Sequence, residues 1–230
     1  MTEHILDRPK WSSLTTRHAK FASGNGGARR FPTDITPFAG VKDDSDESLA
    51  DLAALMAETG AAFVGQVREP LCPPGTKKLE QHDVVQMIGA VPVDPPRDDP
   101  QIQPLGEEDA PAMLALAKLT QPGPFEVRTH LLGRFWGVKS DGRLVAMAGE
   151  RLKQPGFTEI SGVCTHPDFR GSGYGTRLCQ HVQRRIQDRG DTPYLHVFAN
   201  NEGAISVYKS LGFKMRQHLY ATLFVVADDR

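Results

Sequence analysis

The sequence contains few cysteines and no long apolar segment. Its three cysteines, Cys72, Cys164 and Cys179, are too few and too widely spaced for a disulfide framework or a paired-cysteine metal site. No stretch approaches the roughly 18 apolar residues that span a bilayer, and residues 1–10 lack the apolar centre of a signal peptide. The sequence therefore predicts a protein of a reducing, cytoplasmic setting that neither crosses a membrane nor is secreted.

The chain also has almost no net charge. It carries 27 Lys and Arg against 28 Asp and Glu, a formal net charge of -1. This balance supplies no overall field for holding nucleic acid or an anionic membrane, so neither is predicted as a partner. Residues 1–100 carry 11 basic and 15 acidic side chains, whereas residues 101–230 carry 16 and 13. We therefore expect any site for an anionic ligand in the second part.

What the sequence does contain is typical of a folded protein with one large domain or two small ones. Of its 230 residues, 39% are apolar and 24% charged, which is enough to build a core. Five prolines crowd one short stretch and predict an extended linker there: Pro92, Pro95, Pro96, Pro100 and Pro104. The predicted domains are residues 1–100 and 101–230.

The first predicted domain combines helix and strand signals without a recognisable site. Apolar residues at helical spacing predict a helix over 46–59, and two β-rich runs predict strands at 62–64 and 84–88. A glycine-rich turn at 24–27 is followed by prolines rather than by a helix, so it is not predicted to bind phosphate. This domain is therefore expected to be an α/β unit without a cofactor loop.

The second predicted domain alternates strands and helices more regularly. An Asp141-Gly142 turn between two apolar runs predicts a hairpin. In the strand that follows, alternation places Glu159 and Val163 on one face and Cys164 on the other. The predicted elements are a helix over 108–119, strands over 135–139, 144–150 and 158–165, a helix ending at Gly190, and a strand over 194–198.

A glycine-rich loop joins the strand over 158–165 to the next helix, which is the arrangement of an anion site. It reads Arg170, Gly171, Ser172, Gly173, Tyr174, Gly175 and Thr176. Glycines let backbone N–H groups converge, and the helix start adds about half a positive charge, so a diphosphate fits beside Arg170. The spacing differs from a nucleoside triphosphate loop, and Thr176 stands where a dinucleotide fingerprint has its third glycine. A dinucleotide-dependent oxidoreductase is therefore disfavoured.

Two motifs together resemble the GNAT superfamily of N-acetyltransferases. The first, Arg-Gly-x-Gly-x-Gly after a strand ending in Thr-His-Pro, resembles that superfamily's coenzyme A loop. The second is similar to its C-terminal signature and contains Asn201, Ala204, Tyr208, Gly212 and Phe213. The resemblance implies an α/β fold, a twisted mixed sheet flanked by helices, over residues 101–230. Residues 1–100, which neither motif covers, are a candidate degenerate copy of the same fold.

The resemblance also implies acetyl-CoA as acyl donor and no metal. The acetyl group would pass directly, in a ternary complex, to the amine of a small-molecule or peptide acceptor whose identity the sequence does not give. A backbone N–H near Val163, Cys164 or Thr165 would hold the oxyanion. The cofactor-binding residues implied in this way are Val163, Cys164, Thr165, the seven loop residues from Arg170 to Thr176, and Asn201.

Two side chains are implied as the proton-transfer groups of this reaction. A lysine-type amine has a pKa of about 10.4 and is mostly protonated near neutral pH, so a base must take its proton. In members of the family that acetylate lysine, a glutamate at the place of Glu159 is the general base. Tyr208 occupies the family's position for the acid that reprotonates the thiolate. Glu150 is a second candidate base.

Several of these residues also have a purely structural interpretation. Glu159 is alternatively a solvated strand residue, and Tyr208 a member of the apolar helix stripe. Cys164 suggests an acyl-cysteine intermediate, although a strand cysteine is usually a small core residue. The polar side chains of Glu126, Arg128 and His130 lie where the family's acceptor-contacting loop falls. The competing function is a non-catalytic acyl-CoA binding or sensing module, whose first hundred residues cover the acceptor cleft.

Overall fold

Most of the strands belong to one mixed sheet with helices on both faces. The structure is a computed structural model that describes residues 3–89 and 99–227. The helices in these ranges are α1 (Pro9–Leu14), α2 (Asp46–Thr59), α3 (Ala110–Thr120), α4 (Tyr174–Gln187) and α5 (Glu202–Ser210). The strands are β1 (Ala28–Arg30), β2 (Ala39–Val41), β3 (Ala61–Gln66), β4 (Thr76–Ile88), β5 (Gln103–Leu105), β6 (Phe135–Ser140), β7 (Arg143–Gln154), β8 (Phe157–Thr165), β9 (Thr192–Phe198) and β10 (Lys214–Val226).

The order of the sheet follows from one crossover and a series of antiparallel pairings. In the described residues the order is β3-β10-β4-β9-β8-β7-β6-β5, while β1 and β2 form a separate ribbon. β8 and β9 are parallel, because α4 connects them and carries the chain back over one face of the sheet. Leu178, Val182 and Ile186 bury the apolar stripe of α4 against this face. The predicted mixed α/β sheet is confirmed.

Helix α2 has the signals expected from its sequence. Ser45 caps its start by accepting a hydrogen bond from the Ser48 N–H at 3.3 Å. Gly60, with φ of 78°, ends the helix in the left-handed conformation, and its N–H donates to the Met56 carbonyl. The helix predicted over 46–59 is confirmed. None of the helices in the described ranges combines the length and apolar character that a bilayer crossing needs.

Strands from both sides of the predicted domain boundary share the main sheet. β4, from the first part, pairs with β9 on one side and with β10 on the other. Of the predicted linker, Pro92, Pro95 and Pro96 lie outside the described residues. Pro104 is not in a linker but in the short edge strand β5, opposite Trp136, where a missing N–H is tolerated. The division at residue 100 stays a prediction about folding units.

The N-terminal segment is also fastened to the second part by side chains. The Gln154 amide donates to the Pro9 carbonyl at 2.7 Å and its oxygen accepts from the Tyr194 hydroxyl at 3.1 Å, all in the interior. His18 Nε2 contacts the Leu132 carbonyl at 3.0 Å. These buried polar contacts would be left unsatisfied without residues 1–100.

We expect a chain that begins at residue 101 to be insoluble or strongly destabilised. Its β9 and β10 would lose the strand that lies between them, and two open sheet edges favour aggregation. Solubility, gel filtration and a thermal melt of the truncated chain measure the effect.

Co-expression of residues 1–100 as a separate chain is the control, because strand pairing needs no covalent link. It should restore soluble protein. A truncated chain that is monomeric and melts at the full-length temperature would show that residues 1–100 are an independent appendage.

Candidate active site

The glycine loop lies at the end of β8 and leads directly into α4. Gly171 and Gly173 have φ of 83° and 74°, a conformation that side chains rarely adopt. Gly173 is the N-cap of α4 and supplies no side-chain cap, so the first N–H groups of the helix have no side-chain partner there. A Cβ on Gly175 would lie 3.7 Å from Thr165 Oγ1 and 3.9 Å from Val163 Cγ1. The loop amides and the end of β8 thus form one surface, as an anion site requires.

β8 and β9 separate next to this loop. Their parallel pairing covers Phe157↔Thr192 to Glu159↔Tyr194, although β8 continues to Thr165 and β9 to Phe198. Beyond Glu159 the facing edges of these two described strands therefore have no ladder between them. Their free N–H and C=O groups can pair with an extended ligand that carries amides. The backbone of Val163, Cys164 and Thr165 lies on this open part of β8.

A cavity of about 250 Å³ lies beside this opening. Three of the predicted site residues line it: Val163, Asn201 and Tyr208. The opposite wall comes from the N-terminal part and from β10, and includes Lys10, Phe38, Phe63, Gly65, Leu219 and Ala221. Arg151 and His196 line it between these walls. The cleft is thus built jointly by the two parts of the chain.

The structure does not place Glu159 on the acceptor side of the cleft. Its side chain is fully buried, with Arg151 Nη2 donating to Oε1 at 2.8 Å and Arg151 Nε donating to Oε2 at 2.9 Å. The Leu152 N–H also donates to Oε2, at 3.2 Å. Burial alone would raise the pKa of this carboxyl, but the Arg151 charge and the hydrogen bonds hold the pKa well below its usual range. A carboxylate so enclosed is a poor proton acceptor, which argues against Glu159 as the base. That assignment stays a prediction.

His196 is fixed by the same carboxylate. Its Nδ1 lies 2.7 Å from Glu159 Oε1, and its Nε2 lies 3.0 Å from Gln86 Nε2. The Gln86 oxygen accepts from Arg216 at 2.7 Å, so its amide nitrogen is the donor towards Nε2. Nε2 therefore accepts from the Gln86 amide, and Nδ1 is directed to Glu159 Oε1. The ring is thus held by hydrogen bonds on both of its nitrogen atoms.

Glu150, the second candidate base, is also buried and paired. Lys153 Nζ lies 2.8 Å from Oε2 and Arg189 Nη2 lies 2.5 Å from Oε1. It precedes Arg151 on β7, so its side chain points to the other face of the sheet, away from the cavity. Neither predicted carboxylate contacts the space where an acceptor would sit.

Tyr208 lies on α5 with its side chain towards the cavity. It is half-buried and packs edge-on against Phe213, with ring centroids 6.1 Å apart. Burial raises the pKa of the phenol above its usual range, so the hydroxyl keeps its proton at neutral and mildly alkaline pH. This is the state that a proton donor needs.

Two other predicted residues have structural contacts of their own. The Asn201 oxygen caps α5 by accepting from the Ala204 N–H at 3.0 Å, which leaves its amide group for a ligand. The Cys164 side chain packs with Met113, Phe135 and Met147 on the face opposite Val163, and burial raises the pKa of the thiol to about 11. An acyl-cysteine intermediate is disfavoured, because the thiolate is the nucleophile.

The loop predicted to contact the acceptor lies beside the cavity rather than in its wall. Arg128 Nη1 pairs with Asp34 at 2.9 Å, which ties the loop to the N-terminal part. The wall itself is formed by the preceding residues 121–124. Glu126, Arg128 and His130 are not among the cavity-lining residues.

The sequence analysis did not identify the side chains that line the cavity on the side away from Val163. Lys10, Phe38, Phe63 and Arg151 come from four separate elements or loops, and no motif spacing links them. Their proximity depends on α1 packing against both β7 and β3, which is a long-range property. Among residues 3–89 and 99–227, no cluster of His, Cys, Asp and Glu is arranged to hold a metal ion.

Comparison with known proteins identifies the family. The family model described as FR47-like protein matches residues 136–222. A crystal structure from Novosphingobium aromaticivorans, assigned to the GNAT family of acetyltransferases, is 41% identical, covers 98% of this chain and 100% of its own, and superposes with a TM-score of 0.93. The chain belongs to the GNAT family of acetyltransferases. This GNAT enzyme therefore has relatives that extend over its N-terminal part as well.

Curated relatives of the GNAT enzyme match about half of its length or less. The [ribosomal protein bS18]-alanine N-acetyltransferase of Salmonella typhimurium is 29% identical over 127 residues, which are 51% of this chain and 85% of that protein. The N-alpha-acetyltransferase RimI of Mycobacterium tuberculosis is 37% identical over 83 residues, or 34% of this chain and 50% of its own. Both are named as N-acetyltransferases, and this chain is an acyltransferase of that type.

Proposed function

We propose that this GNAT enzyme transfers the acetyl group of acetyl-CoA directly to a primary amine in a ternary complex. The observation that carries the proposal is the meeting, in one cleft, of the amides at the start of α4, the unpaired edges of β8 and β9, and the Tyr208 side chain. The amides would hold the diphosphate, the strand edges would pair with the amides of pantetheine, and Tyr208 would reprotonate the thiolate.

The acceptor is a small-molecule or peptide amine, and peptide N-termini are the first class to test. Two named relatives act on N-terminal or alanine amines. An α-amine has a pKa of about 7.7 to 8.0, so a larger share of it is neutral at pH 7 than of a lysine side chain. The apolar wall around Phe38 and Leu219 also suits the uncharged side chain of a first residue such as alanine.

Mass spectrometry of the purified protein for bound CoA species tests the first half of the proposal. Free-thiol release from acetyl-CoA across a panel of N-terminal peptides, lysine peptides, amino sugars and small amines tests the second. Release that depends on both the enzyme and one acceptor class supports the transfer. CoA binding without release for any amine would instead support the acyl-CoA sensing module.

We expect Gly173→Val to weaken acetyl-CoA binding at least about tenfold, equal to about 1.4 kcal/mol. A β-branched residue does not adopt a φ of 74°, so the loop must move and its amides diverge. Calorimetry with acetyl-CoA measures the loss. Gly190→Val is the matched control, because Gly190 has a φ of 80°, an added Cβ there would also meet nothing within 4 Å, and it follows the other end of α4. Equal affinity of both variants would remove the loop from the site.

A further inference from the structure

Lys10 is a buried lysine that lines the cavity next to the candidate site. Its side chain extends from α1, and the residue is only 5% exposed. The Nζ atom lies 4.4 Å from the centre of the Phe38 ring and 4.3 Å from that of Phe63. A Cβ on Gly65 would come within 2.9 Å of Nζ, so this glycine leaves the space that the amine occupies. The amine is thus held in one place, in the wall of the cavity that also contains Tyr208.

No carboxylate is paired with this amine in the described parts of the chain. Glu159 is the nearby acid, but both of its oxygens are bound to Arg151, His196 or the Leu152 N–H. Loss of hydration lowers the pKa of Lys10 well below its usual range, and the Arg151 charge lowers it further, against a smaller opposing effect of Glu159. The aromatic faces favour the cation by about 0.5 to 2 kcal/mol. Tyr208, which also lines the cavity, keeps its proton because burial raises its pKa, and Arg151, a charged lining residue, is paired with Glu159.

The cavity therefore contains an amine that is held in place and has no carboxylate partner among the described residues, while the predicted carboxylate bases are engaged in ion pairs. On the basis of the proposed function, we propose that Lys10 is a catalytic residue, whose neutral Nζ takes the proton that the acceptor nitrogen loses during attack on the thioester. A lysine whose proton affinity is reduced by burial is suited to general-base catalysis.

Every proton that moves in this step passes between the acceptor, Lys10, Tyr208, the CoA thiolate and solvent. The acceptor nitrogen forms a bond to the acetyl carbon and gives one proton to Nζ. The carbon–sulfur bond breaks, and the CoA thiolate takes the proton of the Tyr208 hydroxyl. The Lys10 ammonium then loses its proton and the Tyr208 phenolate regains one through solvent. The products are the acetylated amine and free CoA.

Two substitutions separate a base from a fixed positive charge. Lys10→Met keeps the length and the contacts with both rings but removes the lone pair and the charge. Lys10→Arg keeps a permanent charge and removes the base, because a guanidinium is not deprotonated in proteins. Lys20→Met is the matched control, since Lys20 is exposed, its Nζ also lies over an aromatic ring, Phe21, at 4.9 Å, and it is not among the cavity-lining residues.

The test is kcat, KM and acetyl-CoA affinity for these variants between about pH 6 and 10, with an acceptor found in the panel. We expect both Lys10 variants to lose about 10²-fold or more in kcat at neutral pH, the scale of a general base. Both should also lose the part of the acid-side fall that comes from Lys10, while the part set by the acceptor amine remains, and both should keep their acetyl-CoA affinity. Lys20→Met should match the wild type. Activity retained by Lys10→Arg would overturn the proposal in favour of a fixed cation.

Carbon-13 NMR of the lysine Cε atoms in the full chain supplies a readout that needs no acceptor and no folded variant. Lys10 should titrate well below the about 10.4 of an ordinary lysine. A Lys10 that stays charged to pH 10 would overturn the proposal even in an active enzyme. Absence of CoA binding would refute the proposed function instead, so the two failures are distinguishable.

Discussion

Glu159→Gln is expected to lower the free energy of unfolding by about 3–5 kcal/mol, the range found when one partner of a buried ion pair is removed. The substitution leaves the Arg151 guanidinium, which is only 12% exposed, without its carboxylate. It also replaces an oxygen that accepts a hydrogen bond with an amide that cannot. Urea denaturation of both proteins at pH 7 measures the difference.

The pH dependence of this difference follows from the direction of the pKa shift. The folded-state pKa of Glu159 lies below the unfolded value of about 4.3, so the carboxylate stabilises the fold fully above that pH. Its contribution is lost as the pH falls through the folded-state pKa. The stability gap between wild type and variant should be constant from pH 6 to 8 and shrink below about pH 4.

Glu69→Gln is the matched control for this experiment. Glu69 also pairs with a cation, Lys78 at 2.7 Å, but its side chain is 55% exposed, so the same substitution should change stability little. A Glu159→Gln variant as stable as the wild type, with lost turnover, would instead return the carboxylate to the role of catalytic base.

Tyr208→Phe is expected to lower turnover by about 10²-fold to 10⁴-fold and to leave acetyl-CoA affinity nearly unchanged. The phenol has no charge to contribute to cofactor binding, but its proton is needed when the thiolate leaves. Because burial raises its pKa, ionisation of Tyr208 should produce no alkaline fall in the wild-type rate below about pH 10. Thiol release with a turned-over acceptor, measured across this range, tests both statements.

Tyr220→Phe is the matched control, because it removes a phenol hydroxyl that lies outside the cavity. Tyr220 lies on β10 between Leu219 and Ala221, both of which line the cavity, so its own side chain points to the opposite face. The Tyr220→Phe variant should keep wild-type turnover. If Tyr208→Phe does the same with every acceptor, Tyr208 is only part of the apolar stripe of α5.

Local elements of this enzyme could be predicted from its sequence because their causes are local. The cap Ser45 and the stop Gly60 bound α2, and the glycine loop with the stripe of Leu178 and Val182 defines α4. The pairing of β4 with β9 and β10 could not be predicted in the same way. It joins residues more than a hundred positions apart, and no turn or spacing connects them.

For Glu159, strand alternation is not enough to predict where the carboxylate lies. Alternation predicts the same face of β8 for Glu159 and Val163, but an extra residue at Gly162, with φ of 64° and a register shift against β7, breaks the alternation. Val163 packs with Ile160 against α4, so Glu159, the neighbour of Ile160, points to the opposite face. Alternation also does not give the depth of the carboxylate in the fold. Arg151 from β7 pairs with it and Lys10 from α1 lies near enough to feel its charge, and only the assembled fold brings these side chains there.

The position of β10 between β3 and β4 has a consequence for how the chain folds. These two strands are among the first to leave the ribosome, yet they are not neighbours, and the strand that fills the gap between them ends at Val226. Until then both keep an open edge, and each closing contact spans most of the chain. Such non-local pairing places a protein among slow folders, at milliseconds to seconds. During synthesis, β3 and β4 therefore expose unpaired backbone groups that can pair with other nascent chains.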